Sequence, residues 1–218
     1  MNNLPISTRW CLLGATVLLA SCAARAPAPD IDALAAQMLR DSFRSEGQAG
    51  VERLQQDAAN EACSHAAGAP LPPAQAQALQ AAALQTVRPP TDGRYLGDWR
   101  EGEKLAQSGR GMTWSDASTA PSANGGSCYN CHQISPAELS FGTLGPSLAG
   151  YGRLRGVTDP RAPDAAPVLA ITWAKLWNAK ASNACSGMPR FGHLGLLDET
   201  QLKHLMALLL DPASPVNR

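Results

Sequence analysis

Apolar positions recur at helical spacing along most of the chain. Ile31, Leu34, Ala35, Met38 and Leu39 mark one helix face, and Val51, Leu54, Gln55, Ala58, Ala59 and Ala62 make a weaker stripe ending near Cys63. Ala66 to Pro73 reads as a loop. Pro73 suits the start of a third helix through about Val87, with Leu79, Ala82 and Ala83 on one face. These segments are rich in Ala and Gln and poor in large apolar side chains. They are expected to pack on the rest of the protein, because alone they bury too little. Pro89, Pro90 and Gly93 then punctuate the chain.

Past this break, Asp98 is placed to cap a helix through Trp99, Gly102, Leu105 and Ala106, which share a face, and Gly102 lets another helix cross closely. Ser108 to Gly126 is polar and glycine-rich and reads as a loop. Trp173 and Trp177 sit four apart on a short helix that Pro167 can open. The last helix is the clearest: Asp198 and Gln201 form a capping box, Leu197 and Leu202 flank it, and Leu202, Leu205, Met206 and Leu209 make one stripe. Asp211 and Pro212 end it. The pattern predicts an all-α protein, with a helical extension over residues 31–92 and a main domain over 93–218.

Ahead of these elements, residues 1–21 carry a charge at Arg9 and an apolar stretch from Cys11 to Ala20. A bilayer span needs about 20 apolar residues, so this segment reads as an export signal. Leu19, Ala20, Ser21 and Cys22 match a lipobox, which predicts a diacylated Cys22 as the first mature residue and a tether over 22–30. Ordinary cleavage between Ala24 and Arg25 is the alternative. The prediction is a periplasmic protein that meets the membrane only through a lipid anchor.

Lys plus Arg and Asp plus Glu are 18 each, and no basic run or aromatic-interleaved patch points to nucleic acid. The chain has six cysteines. Cys11 leaves with the signal, Cys22 takes lipid and Cys128 and Cys131 belong to the motif below. Cys63 and Cys185 remain, and export favours a disulfide between them; a free thiol or a bond to a partner subunit is the alternative.

Cys128, Tyr129, Asn130, Cys131 and His132 form C-x-x-C-H, the attachment run of a c-type haem. Two thiols three residues apart can each add to a vinyl group of one porphyrin edge, while His132 points its imidazole at the iron. Such a run arises by chance on the order of once per thousand chains of this length. A zinc site is the first alternative, needing Cys63, Cys185 or a distant His to complete it. A thioredoxin-type redox pair is the second, and no strand-then-helix pattern surrounds Cys128.

His132 is therefore the expected proximal ligand, with Pro146 a candidate to shape its loop or simply a turn proline. For the sixth ligand the candidates are Met188, Met206, Met112, His193, His204 and His65. Met206 lies on the apolar stripe, His204 falls between stripe positions and is expected at the surface, and Met112 precedes the motif. Met188 sits in a non-periodic loop just before the final helix, stiffened by Pro189, and is the choice. Trp99, Trp114, Trp173 and Trp177 are either an aromatic wall beside the porphyrin or ordinary core. Tyr151, Arg153 and Arg155 read as propionate or partner contacts, or as a solvated loop. An early helix with Gly102, C-x-x-C-H, and a late apolar helix follow the order of a class I cytochrome c-like haem domain.

Several blocks carry a family resemblance. They include Tyr95 to Trp99, Leu105 to Gly109, Gly125 to Gln133, Gly142 to Leu148, Tyr151 to Gly156, Trp177 to Lys180, Asn183 to Gly192 and Leu208 to Asn217. The chain resembles SoxX, the monohaem subunit of the SoxAX cytochromes of bacterial sulfur oxidation. The resemblance implies one covalent haem c on Cys128 and Cys131, with His132 and Met188 as axial ligands. It implies a heterodimer with the SoxA cytochrome, which carries the catalytic haem for coupling thiosulfate to a cysteine of the SoxYZ carrier. The complex acts as an L-cysteine S-thiosulfotransferase, and the subunit resembling this chain passes electrons to a small cytochrome c, with no catalytic residue of its own. The alternative reading is a stand-alone lipid-anchored cytochrome c of a respiratory chain.

Overall fold

The computed structural model describes residues 28–218, so the expected signal, Cys11 and the lipobox Cys22 lie outside the described residues. Among the described residues every regular element is a helix, and the β-type pairing present is an isolated bridge between Glu46 and Ala49. The protein is all-α to that extent. Helix α1 (Ile31–Ser42) belongs to a first unit that ends at Ser42 and opens with the Asp30 side chain accepting from the Ala33 amide. The second unit runs from Phe43 to Arg218 and holds α2 (Ala58–His65), α3 (Pro73–Gln85), α4 (Trp99–Gln107), α5 (Ala166–Trp177) and α6 (Glu199–Leu210).

The stripe over 51–62 is not one helix. Val51–Leu54 is a 3-10 turn, Gln55 is extended at φ −82° and ψ 130°, and α2 begins only after Asp57. Asp57 decides the break, because its side chain accepts from the Asn60 amide at 2.8 Å and so caps a new helix start. The preceding segment is tied to the polar loop before the motif: Gln48 donates to the carbonyls of Asp116 and Ser118, and Arg53 to that of Met112.

Helices α4 and α6 form the central pair. Asp98 caps α4 by accepting from the Arg100 amide, and the predicted box closes at α6: Gln201 N–H donates to Asp198 at 2.8 Å, and Asp198 N–H donates to Gln201 at 2.9 Å. The helices cross at Gly102, where a Cβ would lie 2.1 Å from the His204 carbonyl oxygen and 2.9 Å from the Leu208 Cβ. His204 is thus not a free surface residue. Its Nδ1 accepts from the Asp98 amide at 2.9 Å, joining the start of α4 to α6.

Helix α6 buries more than its predicted stripe, since Ala207, Leu208 and Leu210 are buried alongside Leu202, Leu205, Met206 and Leu209. The cause is tertiary: α4 and α5 both pack on it, and the chain end folds back over it. Buried Asn217 donates to the Leu209 carbonyl at 3.0 Å and accepts from the Gly152 and Arg153 amides, while Ser214 donates to the Leu208 carbonyl. The orphan carbonyls of the helix end are satisfied in this way. Trp173, 1 % exposed, sits on α5 in the same core, edge-on to Tyr95 and donating to the Arg88 carbonyl at 2.7 Å.

Candidate haem site

Cys128 to Asn130 form a single 3-10 turn entered from Ser127 in the left-handed region at φ 50°. The amides of Cys131 and His132 both donate to the Cys128 carbonyl, at 3.1 and 2.9 Å, so the motif is wound tightly and its side chains fan out from one point. The turn is held from both sides. Gly126 N–H donates to the Leu105 carbonyl at the end of α4, and Gly142 and Gly145 N–H donate to the carbonyls of Tyr129 and Cys131, both at 2.8 Å. The segment after the motif therefore lies flat against it. A Cβ at Gly142 would meet the Asn130 carbonyl oxygen, so only glycine allows this approach.

Cys128 and Cys131 are both free thiols and both half-buried. Although Cys128 keeps some exposed surface, the protein crowded around its sulfur pushes the thiol up to about 12. It is not the poised thiolate that a C-x-x-C redox pair uses. Among the described residues no three His, Cys, Asp or Glu side chains gather as a closed zinc site would need, and Cys63 and Cys185, the cysteines available to complete one, are joined to each other with an S–S distance of 2.00 Å.

His132 donates from Nδ1 to the Pro146 carbonyl at 2.6 Å. A neutral imidazole bonded so keeps its Nε2 lone pair free, the tautomer and orientation of a metal-ligating histidine. Gly145 lies directly against the ring: a Cβ there would fall 2.1 Å from Cε1. Pro146 is thus more than a turn residue.

The candidates for a sixth ligand are dispersed. Met206 is fully buried in α6, Met112 occupies a left-handed turn at φ 67° whose carbonyl accepts from Arg53, and His65 is exposed beside Glu61. His204 is used at the start of α4. His193 donates its amide to the Trp177 carbonyl, and burial followed by the charge of Arg190 lowers its pKa. Met188 is half-buried in a loop between a 3-10 turn at Ala179–Ala181 and α6, and packs on the same core as Cys128, Tyr129, Leu148 and Trp177.

A haem c suits these residues by three observations: two free thiols on one turn, an imidazole held by Nδ1 alone, and a buried indole nitrogen, Trp177 Nε1, without a protein partner. An indole N–H is a donor only, so it suits an acceptor such as a porphyrin propionate. The four tryptophans do not make one wall. Trp173 and Trp177 adjoin at 6.0 Å, whereas Trp114 is exposed. Arg155 and Arg190 already have partners. The Arg155 guanidinium lies 3.6 Å over the Tyr151 ring, and Arg190 pairs with Asp57. The Arg190–Asp57 pairing is not visible as a sequence pattern, because it joins residues 133 positions apart.

No family model matches the chain. A protein of Aquifex aeolicus (strain VF5) described as an uncharacterized lipoprotein is 36% identical over 137 residues, which is 61% of this chain and 59% of that protein. The chain thus spans about three-fifths of the length of this curated relative.

Proposed function

We propose that this protein is a periplasmic, lipid-anchored monohaem cytochrome c resembling SoxX, the electron-accepting subunit of a SoxAX complex. The observation that carries the reading is the C-x-x-C-H turn whose His132 keeps Nε2 free by giving Nδ1–H to Pro146. Cys128 and Cys131 would hold the porphyrin edge through thioethers, with His132 and Met188 on the iron. A haem c supplies one-electron exchange between ferric and ferrous iron, and a thioether ligand raises its potential relative to a second histidine.

The protein's own residues do the rest. Pro146 and Gly145 fix the imidazole plane, Trp177 offers a buried donor, and the half-buried Met188 packs on the core. A class I cytochrome c-like fold for residues 93–218 is favoured by the crossing of α4 and α6 at Gly102, with the motif between them in sequence. The sequence Leu19-Ala20-Ser21-Cys22 and the description of the Aquifex relative as a lipoprotein support the anchor. Among the described residues no helix is long and apolar enough to cross a membrane.

In the proposed scheme electrons released when thiosulfate is coupled to the SoxYZ carrier cysteine, on the SoxA partner, pass through this haem to a small cytochrome c. The test is isolation from bacterial membranes. Covalent haem resistant to acid–acetone extraction, together with a second cytochrome and thiosulfate-dependent reduction, is the expected result. Recovery as a single cytochrome with no response to thiosulfate would instead favour a stand-alone respiratory carrier, and absence of bound haem would overturn both readings.

A further inference from the structure

The loop that carries Met188 lies between two buried anchors, Ala184 and Phe191, at 2 % and 3 % exposure, and has no helix or strand of its own. Its backbone bonds are local: Ser186 N–H to the Asn183 carbonyl at 2.9 Å and Met188 N–H to the Ser186 hydroxyl at 3.3 Å. Gly187 has open space around its Cα, and Pro189 is exposed and lacks a donor. Such a segment opens easily by itself, since few bonds must break at once.

Besides the packing of Met188 on the core, two long-range tethers, one ionic and one covalent, reach this stretch, and both come from α2 or its cap. At the helix start, Asp57 divides its carboxylate: one oxygen accepts from the Asn60 amide at 2.8 Å, and the other meets Arg190, whose side chain is 16% exposed. Burial works to raise the Asp57 pKa, but the Asn60 amide and the Arg190 guanidinium outweigh it and hold the carboxyl below its ordinary value. In the last turn, Cys63 is bonded to Cys185 with Cα atoms 5.5 Å apart. One short helix therefore grips the loop on both sides of Met188, at positions 185 and 190. Neither contact is needed to start or end a core helix of the main domain.

We propose that α2 is a two-point clamp on the Met188 loop, with Asp57, Arg190, Cys63 and Cys185 as positioning residues that keep the thioether in place. The proposal rests on the reading of Met188 as the sixth ligand. The disulfide also removes Cys185 as a competing sulfur three residues from Met188. Through this clamp the N-terminal extension slows exchange of the axial ligand, so that electron transfer proceeds without ligand loss.

The test uses the full-length, haem-loaded ferric protein and added imidazole, following loss of the sulfur-to-iron charge-transfer band. Asp57→Asn keeps a good helix cap while removing the charge that holds Arg190, and Cys63→Ala with Cys185→Ala removes the covalent strut without leaving a thiol. Each variant is expected to lose the band about tenfold faster or more, and the combination faster still, because loop opening no longer has to break a tether. Asp57→Asn alters no core residue and keeps the test valid if the cysteine variant folds poorly. A wild-type band with unchanged exchange in the variants, even at a lower Tm, would overturn the clamp and leave Met188 as ligand. Absence of the band from the wild type would overturn the ligand assignment itself, and the clamp with it.

Discussion

The imidazole of His132 is fixed through one bond, from its Nδ1 to the carbonyl of Pro146 at 2.6 Å, while Gly145 presses on the face of the same ring. The two neighbours act together: the proline presents the acceptor, and the missing side chain of the glycine leaves room for the ring. Gly145→Ala is expected to displace the imidazole, because its Cβ would stand 2.1 Å from Cε1. Overpacking of this kind costs about 1–3 kcal/mol. The check is electron paramagnetic resonance of the ferric protein, where a changed axial field is expected while haem stays covalently bound.

Met188→Ala tests the other side of the iron. The haem is expected to remain attached through Cys128 and Cys131, the sulfur-to-iron band to vanish and the reduction potential to fall, since a thioether favours ferrous iron. An unchanged band and potential would move the assignment to Met206 or a histidine.

Gly102→Ala separates helix propensity from packing. Propensity alone favours Ala over Gly by about 1 kcal/mol in a helix interior. The new Cβ would stand 2.1 Å from the His204 carbonyl oxygen, and a backbone atom cannot swing aside as a side chain can. Packing wins, and we expect a cost of about 1–3 kcal/mol, or a fall in Tm of roughly 2–12 °C. Thermal denaturation followed by circular dichroism checks the sign as well as the size.

Acid should loosen the start of α6. Lys203 contacts both Asp92 at 2.7 Å and Glu199 at 2.6 Å. Its hydrogen bond holds Asp92 well below the usual carboxylate range, aided by the amide and guanidinium of Arg94, and lowers Glu199 against the opposing effect of burial. Both groups have folded pKa values below their unfolded ones. Their contribution is therefore present above the ordinary carboxylate values near pH 4, and is lost as pH falls through the lowered folded values. Tm should drop as pH falls below about 4, and the drop should be shallower in Asp92→Asn with Glu199→Gln, which should also be less stable than the wild type at pH 7.

Much of the main domain was legible in local pattern. The capping box of Asp198 and Gln201, the stripe of α6 and the Asp98 cap rest on residues near one another in sequence, where hydrogen-bond reach and helical period decide the outcome. The break before α2 was not legible, because the weak stripe over 51–62 runs across it and only the Asp57 cap interrupts the helix. His204 was misplaced for a related reason. Its spacing reads as surface, yet the Asp98 amide, 106 positions earlier, gives Nδ1 a partner.

By itself the sequence determined that the described chain is helical, where its strongest helix begins and ends, and that two cysteines and a histidine share one turn. These follow from short-range sterics and capping. The tertiary structure alone decided that the Pro146 carbonyl accepts from His132, that Arg190 pairs with Asp57, and that this pair and the expected Cys63–Cys185 bond fall on either side of Met188. Those contacts join residues from 14 to 133 positions apart, between Pro146 and His132 and between Arg190 and Asp57. A local pattern holds no record of such pairings, because they are selected by the shape of the packed core and not by the period of any one element.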